Sequence, residues 1–151
     1  MKQRKVSVYG PVVDQASRLE GLTKEFNTPI LVDGVVAEAL KSQSQTDHAR
    51  LRRVANVRPY GMDVVIPLFE LQRDDSGAAH DRLTLNHGSA LRAFEGGNWR
   101  LARDLLADLA GDGPSRFLVH FMDRFPDGPP NYRLPDGTWQ PWDGTIPMDK
   151  K

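Results

Sequence analysis

Val8-Tyr9-Gly10-Pro11-Val12-Val13-Asp14-Gln15-Ala16-Ser17-Arg18-Leu19-Glu20-Gly21-Leu22-Thr23-Lys24 joins a strand pattern to a helix pattern through one turn. Lys5 to Tyr9 alternates apolar Val6 and Val8 with polar Lys5 and Ser7, the period of a half-buried strand. Gly10 and Pro11 turn the chain, and Pro is tolerated at a first helical position because its missing N–H would be unpaired there. From Val12 to Phe26 the residues Val12, Ala16, Leu19, Thr23 and Phe26 fall on one helical stripe. Further on, Pro29 to Val32 reads as a short strand, and Asp33 as the N-cap of a helix through Leu40. Lys41 to Ala49 is polar and reads as a loop. Arg50 to Arg58 and Val64 to Leu71 are strand-like, with Gly61 between them as a hairpin signal. The order β-α-β-α-β-β over residues 1–75 predicts an α+β layer whose two helices cover one face of the sheet.

Arg73 to Ala79 carries no apolar period and reads as a linker. An all-α hairpin is expected over residues 76–125. Leu83, His87, Ala90, Leu91 and Phe94 form one stripe that Gly96 and Gly97 end. Leu101, Ala102, Leu105, Leu106 and Leu109 form a second. After the break at Gly111 to Pro114, Phe117, Leu118, Phe121, Met122 and Phe125 form a third. Residues 126–151 hold six of the eleven prolines and read as an irregular, extended tail. Its Tyr132, Trp139 and Trp142 are expected to anchor it on the helices.

Composition narrows the classes of function. The 151 residues carry 20 Lys+Arg and 20 Asp+Glu, and neutrality argues against nucleic acid or anionic lipid as the main partner. Cys is absent, which excludes disulfides, a thiol nucleophile and thiolate metal sites. No apolar run approaches the ~20 residues of a membrane span, and no signal peptide is evident, so a cytoplasmic location is expected.

At 100° per residue, Asp14 and Arg18 fall on the helix face opposite the apolar stripe, four residues apart. Two readings follow from the spacing. One is a solvated i,i+4 ion pair worth about 0.3–0.5 kcal/mol. The other is a face turned into a cleft with another chain, where an Arg neutralises a phosphate by paired hydrogen bonds.

The stretch from Val8 to Lys24, with its core Ala16-Ser17-Arg18-Leu19-Glu20-Gly21-Leu22-Thr23-Lys24, resembles class III adenylate/guanylate cyclases of bacteria. The likeness continues through Thr28-Pro29-Ile30-Leu31-Val32, Arg58 and Gly61 to Leu68-Phe69-Glu70-Leu71. It covers about residues 3–72, the C-terminal half of that catalytic domain. The resemblance implies a partial ferredoxin-like half and an ATP site between two subunits of a homodimer. It implies that Arg18 stabilises charge developing on the phosphate, often the largest catalytic contribution. Asp14 stands where the family carries a positioning Asn, and Ser7 at the base-selecting position, so ATP and GTP both stay open. A carboxylate at position 14 cannot donate a hydrogen bond and repels a triphosphate. The family's Mg²⁺ or Mn²⁺ ions are held by aspartates in segments upstream of the position Lys5 matches. The chain alone is therefore expected to bind no metal and to cyclise no ATP, needing the upstream half of the domain and a second subunit.

Ala90, Ala93, Gly97, Trp99, Ala102, Leu106, Leu109 and Pro114 resemble a single tetratricopeptide unit, which must dock on something else; a generic helical hairpin fits equally. Some bacterial cyclases carry a comparable extension ending near a Trp-Asp-Gly like Trp142-Asp143-Gly144. His48, His80, His87 and His120 lack metal-ligand spacing, and His87 is expected to be packed or capping. Arg50, Arg52 and Arg53 read as a solvated strand edge. Two functions stand against each other: part of an adenylate cyclase, or a regulatory module derived from one whose helices bind a partner protein.

Overall fold

The structure, a computed structural model, describes residues 11–43, 49–73 and 78–148. Within them the chain is mixed α+β. Helix α1 (Pro11–Glu25) leads to strand β1 (Leu31–Asp33), α2 (Gly34–Ser42), β2 (Ala49–Arg58) and β3 (Ile66–Arg73). Three helices follow, α3 (Ala78–Glu95), α4 (Trp99–Leu106) and α5 (Gly113–Asp123), then the short strands β4 (Tyr132–Arg133), β5 (Trp139–Gln140) and β6 (Thr145–Pro147). The strand expected at Lys5 to Tyr9 lies outside the described residues, as do most of the loop after α2 and the centre of the linker before α3.

Local chemistry sets the helix ends. Asp33 accepts a hydrogen bond from the Val36 N–H at 2.9 Å, the N-cap read from the sequence. Asp112 does the same for Ser115 at 3.1 Å, with Pro114 in the first turn of α5. So Gly111 to Pro114 is a helix start as well as a break. Helices α1 and α3 end alike. Asn27, at φ 49°, and Gly97, at φ 84°, take the left-handed conformation that lets the next N–H turn back onto the helix. Thr28 N–H reaches the Thr23 carbonyl at 3.0 Å, and Asn98 N–H reaches that of Ala93 at 2.9 Å.

The main sheet has the order β1-β3-β2-β6. β2 and β3 form the expected antiparallel hairpin, with Arg52 opposite Glu70 and a bulge between Arg53 and Ala55. β1 lies antiparallel on the other side of β3, with Leu31 opposite Glu70. The tail corrects the expectation of an irregular segment. β4 and β5 pair with each other, and β6 joins the main sheet parallel to β2, with Ile146 opposite Val57. No apolar alternation announces β6, because a three-residue strand is too short to show a period.

One face of the sheet, carrying Leu31, Leu68, Val57 and Ile146, is buried with Phe26 just beyond α1, Leu91 and Phe94 of α3, and Leu118 and Met122 of α5 in one hydrophobic cluster. The alternate residues Pro67 and Phe69 meet α2 instead: Lys41 lies over the Phe69 ring, and Pro67 crowds Gly34. The two helices thus do not share one face, and α3 and α5 cover the buried one. Trp142 anchors the tail as expected, edge-on to Phe94 and Trp99 at 5.2 and 5.4 Å between centroids. Trp139 does not; it is 65% exposed. Leu101, assigned to the α4 stripe, is also largely exposed. Among the described residues, no helix is long and apolar enough to cross a membrane.

Candidate functional site

The three residues singled out from the sequence have different standing. Ser7 lies outside the described residues. Asp14 belongs to α1 by its backbone, and its side chain lies outside what is described. Arg18 is in the middle of α1, half-buried, and no side chain or carbonyl among the described residues pairs with it. An Arg is charged at every relevant pH, and a guanidinium presents five donors in a planar fork that matches a phosphate or carboxylate. Among the described residues, no three His, Asp or Glu stand together as a group able to hold a metal ion.

The most elaborate polar cluster is one the sequence reading missed. Arg52 was expected on a solvated edge, yet it stands opposite Glu70 on the face of the sheet that the helices bury, and it is 3% exposed. Its Nε donates to Glu70 at 2.9 Å, and its Nη2 is paired with the same carboxylate. Nη1 and Nη2 also donate to the two oxygens of Asp112 at 3.0 and 2.9 Å. Two carboxylates against one guanidinium leave a buried negative excess. Neutral donors offset it: the Thr28 hydroxyl and Gln72 amide on Glu70, at 2.6 and 2.9 Å, and the Ser115 hydroxyl on Asp112 at 2.6 Å. Asp112 also sits at the positive end of α5, which favours its charge. Accordingly its carboxyl lies below the usual range, held there against burial by hydrogen bonds from Arg52 and Ser115.

His87 closes the cluster. The Ser115 hydroxyl gives its proton to Asp112, so its oxygen accepts from His87 Nδ1 at 3.0 Å, which assigns the Nδ1–H tautomer. Nε2 is buried, and among the described residues no hydrogen bond of good geometry reaches it. Ser, His and Asp in contact invite comparison with a nucleophilic triad. Here Ser115 and His87 are both buried, and the aspartate binds the serine rather than orienting the histidine, so the cluster is structural.

Burial, reinforced by the Arg52 charge, pushes the His87 ring down to about 4 from an ordinary 6.5. The Val54 backbone and Asp112 favour the charged ring and are outweighed. The sign follows from linkage: between these values the unfolded chain binds the proton and the folded chain does not. The contribution is complete above pH 6.5 and is lost as pH falls towards 4. We expect unfolding free energy, from urea titrations, to drop by about 1–3 kcal/mol between pH 7 and 4.5, and His87→Gln to flatten that slope. An unchanged slope in the variant would refute the assignment.

Two smaller groups complete the polar structure. Arg53 of β2 meets Glu95 at the end of α3 through both of its terminal nitrogens. Arg58 lies over the Tyr132 ring at 4.4 Å, and Asp143 accepts from both Tyr132 (2.6 Å) and Arg58 (3.3 Å). This last group ties the tail to the end of β2 and uses the Asp of Trp142-Asp143-Gly144. A further feature is an open surface cleft of about 330 Å³ between α4 and the start of the tail, lined by Trp99, Arg100, Arg103, Asp104 and Phe125. Sequence signals for these groups were faint. Three arginines in four residues of a strand could have been read as inward-facing only with Glu70 and Asp112 already placed opposite them.

No family model, curated protein or solved structure matches the chain.

Proposed function

We propose that residues 1–75 act as the C-terminal part of a class III adenylate cyclase domain, with Arg18 as the residue that stabilises the transition state. The reading rests on the resemblance of Val8 to Lys24. What supports it is that this stretch folds as a helix carrying Arg18 in its middle, as the resemblance requires. In the reaction the ribose 3′ oxygen attacks the α-phosphorus of ATP, its proton leaves, and the bond to pyrophosphate breaks. Negative charge grows on the phosphate oxygens, and a preorganised guanidinium lowers that barrier. The metal ions of such a domain would supply further charge neutralisation, and the resemblance places their aspartate ligands in the upstream half.

The test supplies the chain with an upstream class III cyclase half carrying the metal-binding aspartates, together with ATP and Mn²⁺. Cyclic AMP should form with both parts and not with the chain alone. Arg18→Ala should lower the rate by about 10²–10³-fold. Full activity in that variant would sink the reading.

Asp14, standing where the family has Asn, favours the second reading, a regulatory protein-interaction module derived from a cyclase. Asp14→Asn in the same assay separates the two. A large gain in rate identifies a weakened catalytic site, and no cyclic AMP from any combination identifies the module.

A further inference from the structure

We infer that the start of α5 is the positioning contact for the helix that carries Arg18, so that the helical segment sets where that arginine stands. The inference rests on the cyclase reading for its catalytic meaning, but the contact is defined by geometry alone. A Cβ at Gly113, the first residue of α5, would lie 2.5 Å from the Phe26 carbonyl oxygen and closer still to that of Asn27. Those are backbone atoms of the turn that ends α1, so no side chain can yield to make room. Next to this contact the Phe26 and Phe117 rings stack at 4.0 Å.

A chain of charged contacts closes the same joint from the other side. Thr28, whose N–H terminates α1, donates its hydroxyl to Glu70. Glu70 holds Arg52, and Arg52 holds Asp112, the N-cap of α5. The end of α1 is thereby gripped directly by Gly113 and indirectly through both central strands. Arg18 lies eight residues before Phe26, about 12 Å along the helix axis. A tilt of only about 5° at the gripped end carries it by about 1 Å, and a misplacement of that size can cost about 10²-fold in rate. A glycine is required here by close approach, not by turn geometry, since Gly113 is not among the residues with positive φ.

Hydrogen–deuterium exchange on the full chain tests the contact. Gly113→Ala should speed amide exchange in residues 17–28 by about tenfold while the β2–β3 amides stay within about twofold of wild type. Unchanged exchange in residues 17–28 overturns the inference, as does equal loosening of every element. Should Gly113→Ala fail to fold, Asp112→Asn keeps an acceptor for the Ser115 N–H and removes the charge held by Arg52. It should produce the same local pattern at about threefold. With the upstream cyclase half present, Gly113→Ala should lower kcat by about tenfold or more and leave KM for ATP within about twofold. A rise in KM at unchanged kcat overturns the positioning role. If wild type forms no cyclic AMP, the cyclase reading fails, and the exchange pattern still decides the contact between α5 and α1.

Discussion

Arg52→Ala is expected to cost about 3–5 kcal/mol of stability, read as a fall in the urea midpoint at unchanged slope. The reason is not the strength of the ion pairs as such. A buried pair roughly balances its attraction against the water it gives up, and apolar replacements of the whole group are often tolerated. Removing Arg52 alone leaves Glu70 and Asp112 facing each other across the space it filled, both largely out of water. Either one takes up a proton or the joint between β2, β3 and α5 opens. Arg52→Lys is the informative companion. An ammonium cannot serve two carboxylates with paired hydrogen bonds, so we expect it to recover less than half of the loss. Full recovery with Lys would mean that net charge, and not the forked geometry, holds the cluster. A cost under about 1 kcal/mol for Arg52→Ala would place the arginine with ordinary surface charges.

Trp142→Ala is expected to cost about 3 kcal/mol, at the lower end for a Trp truncation because the ring is only half-buried. Its ring packs on Phe94, Trp99 and Phe121, and its Nε1 donates to the Phe94 carbonyl at 3.1 Å. Trp99 Nε1 donates to the same oxygen, also at 3.1 Å. That carbonyl is thus not orphaned when one indole is lost. Trp142→Phe should then cost only about 1 kcal/mol, the net worth of one hydrogen bond. The effect should also reach beyond the helices. Trp142 stands three residues before β6, and β6 covers the side of β2 away from β3. We expect amides of Val57 and Arg58 to lose protection in Trp142→Ala, and a loss confined to α3 and α4 would contradict this link.

Much of the fold is legible in the sequence for identifiable reasons. Periodicity gives α3 and α5, since each buries a stripe whose residues repeat every three or four positions, and in α1 Leu19, Leu22 and the following Phe26 pack into the core at the same spacing. Asp33 and Gly97 mark helix ends because only a few residue types satisfy those backbone geometries. The β2–β3 hairpin follows from two strand-like runs and Gly61. The exceptions have equally specific causes. Leu101 is apolar at a stripe position yet exposed, because α4 is only 8 residues long and packs mainly through Trp99, Ala102 and Leu106. The chemistry of Trp139 alone points to an anchor, and its place in the short β4–β5 pair leaves it exposed instead.

The candidate site divides in the same way. Arg18 on a helix was read from spacing, and the structure places it in α1. The polar cluster around Arg52 could not be read. Its members Thr28, Arg52, Glu70, His87, Asp112 and Ser115 are spread over 88 positions of the chain. His87 is legible as a packed residue of an apolar stripe, but nothing in the sequence links it to the other five, which lie far apart along the chain.

Sequence by itself determined the local elements of this protein, because helix periods, caps and turn residues act between positions a few residues apart. Only the tertiary structure decided which strand is central, that the Pro-rich tail closes the sheet, and that Gly113 must lack a side chain. Those outcomes depend on atoms brought together from distant parts of the chain, where burial turns an exposed charge into a liability that specific partners must satisfy.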